Sequence, residues 1–178
     1  TGDPKGVIGT HRGSMNRFEW MWNKYPFESD EVCCQKTSLG FVDSVWEIFG
    51  PLLRGIPSVI ISDAVTREPE QFIEMLAANK VTRLVAVPSL LEMLLARNEV
   101  LRHRLPTLKY CVASGEALSP ELSRRFLAAL PGTVLLNLYG SSEASADSTF
   151  YEITAADTRF AGSVPIGKPI GNTQVFIL

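Results

Sequence analysis

Short apolar runs recur between helical stretches along this chain, and that alternation is its strongest constraint. Val59-Ile60-Ile61 and Leu84-Val85-Ala86-Val87 are apolar at consecutive positions. A strand with one wet face alternates apolar and polar residues, so an unbroken apolar run implies cover on both faces. Strands are expected at Val32–Leu39, Ser58–Ser62, Arg83–Val87, Tyr110–Ser114, Val134–Tyr139, Ser148–Ile153 and Gln174–Leu178, with Val7-Ile8 as a further short one. Between them, Glu68–Asn79 places Phe72, Ile73, Leu76 and Ala77 on one helical face. Ser89–Asn98 groups Leu90, Leu91, Leu94 and Leu95 in the same way. Ser119-Pro120-Glu121 combines a serine cap, a proline at the first helical position and an acid in the first turn. That helix is expected to stop at Pro131-Gly132. Arg12–Asn23 and Ser44–Leu53 also have helical patterning. The alternation predicts an α/β fold with a mostly parallel sheet flanked by helices. The 178 residues are one domain's worth of chain, and no linker divides them.

Charge and cysteine usage narrow the function classes. A net charge of −2 lacks the basic stripe that a nucleic-acid surface needs. Cys33, Cys34 and Cys111 form neither a CxxC pair nor an even set, so a disulfide framework or zinc knuckle is not expected. They read as small core residues in a reducing, cytoplasmic setting. No signal peptide or membrane-spanning run is visible. His11 and His103 read as non-catalytic, and Trp20 and Trp22 as packing residues.

In open α/β sheets, ligands sit beyond the carboxyl ends of the strands. Tyr110–Ser114 runs into Gly115-Glu116, and the next strand runs through Asn137-Leu138 into Tyr139-Gly140-Ser141-Ser142-Glu143. Small residues there let a ligand approach the backbone. Tyr139 offers a stacking face, and Ser141 and Ser142 offer hydroxyls to a phosphate. Glu143 offers a carboxylate to Mg²⁺ bridged to substrate phosphates. At the start of the chain, Thr1, Gly2 and Gly6 supply hydroxyl and N–H donors, and Lys5 supplies a cation. This is not the GxxxxGK(S/T) loop, which opens a helix. Taken singly, each piece is an ordinary turn or polar loop.

Their order is more specific. TGDPKG, FVDSVWE, ASGEALSP, NLYGSSEAS and GKPIGNTQVFIL follow one another along the chain. The series resembles the adenylate-forming enzymes, specifically the amino-acid-activating adenylation domains of nonribosomal peptide synthetases. The resemblance covers almost the whole chain. It implies a reaction in which a carboxylate attacks the α-phosphate of Mg·ATP, releasing pyrophosphate. The acyl group of the resulting adenylate then passes to the phosphopantetheine thiol of a carrier-protein partner. It implies that Thr1, Gly2, Lys5 and Gly6 close over the β- and γ-phosphates. Gly115, Glu116, Asn137, Tyr139 and Gly140 would frame the adenine, Ser142 would lie near the α-phosphate, and Glu143 would hold Mg²⁺. Lys5, Ser142 and Glu143 are the catalytic candidates. By the same resemblance the chain is a fragment of the large N-terminal domain, lacking its front half and the small C-terminal lid. Alone it is expected to be inactive and prone to self-association through exposed apolar surface.

The resemblance also places a substrate pocket at Val42, Asp43, Trp46, Val85, Val112, Ser114, Leu138, Ala146 and Asp147. In α-amino-acid members an aspartate opens this motif. Here Val42 stands in its place and the acid comes one residue later, at Asp43. The set resembles the pattern associated with β-alanine, and the stretches around it are similar to insect synthetases that join β-alanine to amines. A β-amino acid carries its ammonium one carbon farther from the carboxylate, so its counter-charge has to move. A buried ammonium without a carboxylate would be costly. Asp43 and Asp147 are the candidate anchors, and Trp46 and Leu138 would fill the space of an α-side chain. Asp43 could equally cap the helix beginning near Ser44. The rival expectations are an acyl-CoA synthetase type of acid:thiol ligase and a non-catalytic binding module that keeps the pocket architecture.

Overall fold

The structure is a computed structural model describing residues 6–96, 101–154, 157 and 162–177. The elements run α1 (His11–Lys24), β1 (Cys33–Gln35), α2 (Asp43–Leu52), β2 (Ser58–Ile60), α3 (Asp63–Thr66), α4 (Pro69–Ala78) and β3 (Arg83–Ala86). They continue through α5 (Pro88–Leu95), α6 (Leu101–Arg104), β4 (Tyr110–Ala113), α7 (Pro120–Ala129), β5 (Val134–Ser141), β6 (Ala146–Ile153) and β7 (Lys168–Pro169). One 3₁₀ turn, Ser142–Ala144, separates β5 from β6.

The main sheet has the order β3-β4-β5-β6-β7. β3, β4 and β5 are parallel, while β6 and β7 add antiparallel strands at one side. β1 and β2 form a parallel pair of their own. Thr82 joins the two sheets: its N–H donates to the Val32 carbonyl at 2.8 Å, and its carbonyl accepts from Lys109 N–H at 2.8 Å.

The period of two along each strand divides the core. Leu84, Ala86, Cys111, Ala113 and Leu135 pack in one cluster with Phe72, Leu76, Leu91, Leu95 and Phe126 from the helices. Val85, Val112, Leu136 and Leu138 turn to the opposite face and meet Phe18, Met21, Trp22 and Trp46 of α1 and α2. The central strands are therefore covered on both faces, as their unbroken apolar runs required. All three cysteines are buried and free, and Trp20 and Trp22 pack in the second cluster. Ser119 accepts a hydrogen bond from Leu122 N–H at 3.1 Å, with Pro120 opening α7. Gly50 interrupts α2 for a packing reason, since a Cβ there would overlap the Trp46 ring.

Several expectations need correction. Val7 and Ile8 are irregular and exposed, Ile8 at 93 %. Residues 174–177 form no strand, and Leu178 lies outside the described residues. The Val32–Leu39 strand shrinks to three residues, because Lys36 and Thr37 turn their N–H groups to the Glu47 carboxylate instead of a neighbouring strand. The apolar run in β2 is not covered on both faces, since Ile60 is 81 % exposed. Two short helices, α3 and α6, have too few turns to show a periodicity.

One buried network anchors the approach to β3. Arg83 makes a forked ion pair with Glu31, with Nη2 donating to Oε1 at 2.9 Å. Its Nη1 and Nη2 also donate to the carbonyls of Tyr25 and Pro26 at 2.8 and 2.7 Å. Phe27 and Tyr110 stack on either side of the guanidinium, with ring centroids at 4.1 and 4.4 Å. Planar, satisfied packing of this kind explains an arginine at the start of a buried strand.

Among the described residues, no helix is long and apolar enough to cross a membrane.

Candidate active site

Beyond the carboxyl ends of β4 and β5 lies a cleft of about 300 Å³, lined by Gly115, Glu116, Asn137, Tyr139, Gly140 and Ile166, among others. Five residues expected to frame a nucleotide therefore meet in one place. Gly115 takes φ +85°, a left-handed turn that a side chain resists, and bends the chain away from β4. Tyr139 is 55 % exposed, so one ring face is free to stack. Asn137 is buried, and its amide donates to the Pro165 carbonyl at 2.9 Å. That bond holds the segment carrying Ser163, Val164 and Ile166 over the cleft. Glu116 is occupied by structure: its carboxylate accepts from Ser89 N–H and Oγ at 2.9 and 3.0 Å, tying β4 to the first turn of α5.

Ser142 and Glu143 occupy the exposed 3₁₀ turn directly after β5. Ser145 and Ala146 close the turn at φ +61° and +83°. Consecutive left-handed non-glycine residues are a strained arrangement of the sort found where a turn positions functional groups. Among the described residues, no three His, Cys, Asp or Glu side chains gather as a metal cage. A lone carboxylate still suits Mg²⁺, which keeps several waters and binds mainly through substrate phosphates. Thr1, Gly2 and Lys5 lie outside the described residues, and Gly6 is exposed and irregular.

A second, larger cleft of about 580 Å³ lies between α2, β3 and α3. Asp43, Phe41, Val85, Val87 and Arg67 line it together with Gly115 and Glu116. The two clefts thus share the turn after β4. The strand period also separates the residues of β5: Leu138 faces the α1/α2 cluster with Val85 and Val112, while Asn137 and Tyr139 face the nucleotide-sized cleft. Trp46, Ala146 and Asp147 are buried around the same α1/α2 side, and Ser114 is buried at the end of β4.

Asp43 does not cap its helix. Val42 occupies the cap in a helical conformation without a side-chain bond, leaving Asp43 as the first helical residue. The Asp43 carboxyl lies near the Ser114 hydroxyl, which favours its ionised form. Burial, then repulsion from Asp147, pushes the carboxyl up to about 6, against the pull of Arg17 and Ser114. Asp147 is engaged as well, in a buried ion pair with Arg17 of α1. The Arg17 guanidinium also lies over the Trp46 and Trp20 rings at 4.8 and 5.2 Å.

Sequence reasoning missed Arg17, Glu47 and the 163–166 segment. Glu47 is buried and accepts from Lys36 N–H, Thr37 N–H and Lys36 Nζ at 3.0, 2.7 and 3.2 Å, so it fixes the loop between β1 and α2.

The AMP-binding enzyme family matches residues 1–178, the full chain. The chain belongs to that family. Among curated relatives, this AMP-binding chain is 38 % identical over 184 residues to vanchrobactin synthetase VabF of Vibrio anguillarum, covering 100 % of the chain and 6 % of that protein. It is 37 % identical over 187 residues to the beta-alanyl-bioamine nonribosomal peptide synthetase ebony of Drosophila melanogaster, covering 100 % of the chain and 21 % of the relative. The crystal structure of the nonribosomal peptide synthetase FmoA3 in its AMPPNP-bound form superposes with a TM-score of 0.87 at 33 % identity, over 97 % of this chain and 18 % of that one. The chain spans well under half the length of each of these proteins. Its α/β fold is that of nonribosomal peptide synthetase adenylation domains.

Proposed function

We propose that this AMP-binding chain is part of a domain that activates an amino acid, best read as β-alanine, with Mg·ATP. The substrate carboxylate attacks the α-phosphorus, and the bond to pyrophosphate breaks, giving an aminoacyl-adenylate and pyrophosphate. A carrier-protein phosphopantetheine thiolate then takes the acyl group and AMP leaves. The observation that carries this reading is the pair of clefts meeting at Gly115-Glu116, one with a free aromatic face and the other with a half-buried acid, Asp43. Adenine would stack on Tyr139. Ser142 would meet the α-phosphate, and Glu143 would hold Mg²⁺ bridged to the phosphates. The loop Thr1–Gly6 would close on the outer phosphates. Positioning and charge neutralisation supply most of the rate in such transfers.

The choice of β-alanine is supported by Val42 in place of an acid, by Asp43 one residue later, and by the name of the Drosophila relative. The Asp43 carboxyl disfavours a purely apolar acyl substrate, which would leave it without a cation. The buried free cysteines fit a cytoplasmic, reducing setting.

ATP–pyrophosphate exchange tests the reading, on a complete domain carrying this segment and on the 178-residue chain. β-Alanine should outperform L-alanine, glycine and γ-aminobutyrate in the complete domain, with no exchange by the chain alone. Equal use of L-alanine would remove β-alanine from the proposal, and no exchange with any amino acid would remove the activity. Lys5→Ala in the complete domain should raise KM for ATP about tenfold with every amino acid. An effect restricted to one amino acid would place Lys5 in the acid pocket instead. The chain alone exposes Leu39, Phe41, Ile60 and Phe176 at 68–81 %. Concentration-dependent self-association in sedimentation is the expected result.

A further inference from the structure

Sequence left two candidate anchors for the substrate ammonium, Asp43 and Asp147. Their surroundings differ. Asp147 is 4 % exposed and its carboxylate is engaged by the Arg17 guanidinium, itself 3 % exposed. Arg17 has no intrahelical salt partner and is held between the rings of Trp20 and Trp46. Asp43 has no cationic partner of that kind. It faces the larger cleft. Of the other charges on that cleft, Lys36 pairs with Glu47 at 3.2 Å, Glu116 is bonded to Ser89, and Asp63 and Arg67 contribute one charge of each sign.

The charges therefore sum simply. Asp43, Asp147 and Arg17 form a cluster with one net negative charge, and only Asp43 of the three lines the larger cleft. A desolvated charge is stable only when paired, so the pocket is complementary to one added cation. The buried Nη1 of Arg17 has no hydrogen-bond partner among the described residues. That free donor arm is available to a nearby carboxylate if Asp147 is lost.

We infer that Arg17 is a specificity-determining residue: by neutralising Asp147 it makes Asp43 the sole anchor for the substrate ammonium, and it keeps the pocket one cation short of neutral. This rests on the amino-acid-activating reading above. Arg17 acts through Asp147 and Asp43, so it is a positioning residue that touches no reacting atom. Desolvation of the unpaired Asp43 carboxyl, which raises its proton affinity, agrees with a group awaiting a cation.

The test is a charge-rescue cycle in the complete domain, read as KM for the amino acid that supports the fastest exchange. Asp43→Asn should raise that KM about 100-fold, with KM for ATP unchanged. Asp147→Asn should raise it at least about tenfold, because the freed Arg17 turns to Asp43 and cancels the anchor. Adding Arg17→Gln to Asp147→Asn restores one net negative charge and should bring KM back to within about threefold of the parent. If the single variant fails to fold, the double variant, which like the parent leaves only Asp43 without a cation, carries the test by itself. Failure of the double variant to recover KM, or an unchanged KM in Asp43→Asn, would overturn the inference.

If no amino acid supports exchange in the parent domain, the functional reading fails, and the inference is decided separately on the 178-residue chain. Carbon-detected NMR should show the Asp43 carboxyl titrating at lower pH in Asp147→Asn than in the parent chain. An unmoved Asp43 titration would show that Asp147 and Arg17 do not set its charge, which would sink the idea.

Discussion

Replacing Arg83 with methionine is expected to cost about 3–5 kcal/mol of folding stability, the cost of leaving one charge of a buried pair alone. The side chain pairs with Glu31, which is 1 % exposed, and also satisfies two backbone carbonyls between α1 and β1. Its loss leaves the Glu31 carboxylate with Thr82 and a backbone N–H, but without a cation. Against a typical total of about 5–15 kcal/mol, this is a large fraction. Thermal unfolding followed by circular dichroism should move down by roughly 10 °C. Arg83→Met combined with Glu31→Leu should recover much of the loss, since no charge is then stranded. A fall of less than about 1 kcal/mol in the single variant would mean that the network is solvated rather than closed.

Asp43→Asn is expected to act in opposite directions on stability and on activity. In the folded chain the Asp43 carboxyl holds its proton up to about 6, whereas the ordinary value is 3.8. Between these pH values the folded state binds more protons than the unfolded state. Stability therefore falls as pH rises through this window, and the full penalty is present above it. Burial is the main cause, followed by repulsion from Asp147 and, less strongly, Glu47, with Arg17 and Ser114 opposing. Asparagine keeps the size, but it has no proton to release. The variant should be more stable at pH 7 by on the order of 2 kcal/mol, and its stability should be flat across the window where the parent declines. Exchange driven by an amino acid should fall at the same time. Urea unfolding at pH 4 and pH 7 reads the first effect directly. A parent stability that rises between these pH values would contradict the assignment. A site that destabilises its own fold is a common expense of binding charged ligands.

How far the sequence could be read depended on the range of the interactions involved. The apolar runs in β3, β4 and β5 determined a doubly covered sheet, because dry strands have no alternative to cover on both faces. The Ser119-Pro120 cap and the periodic faces of α4 and α5 are decided within a few residues, so they were legible too. The order of motifs placed Gly115, Glu116, Asn137, Tyr139 and Gly140 at strand ends, and the strand ends converge on one cleft. Where local pattern was weak, the reading failed. Val7-Ile8 and residues 174–177 have strand-like composition but no neighbouring strand among the described residues, and a strand exists only through its pairing.

The charge state of the pocket was decided by the tertiary structure alone. Arg17 sits in a stretch, Arg12–Asn23, whose patterning predicts a helix but gives no partner for its charge. Its partner Asp147 is 130 residues away. The cap that aspartate beside a helix start could have formed was the alternative reading of Asp43, yet Val42 takes the cap position and Asp43 lines the larger cleft. Sequence determined which residue types reach the site, since periodicity and turn chemistry act locally. Only the packing of α1 against β6 and α2 decided which of the two acids is left unpaired, because charge pairing depends on distances that local patterns do not encode.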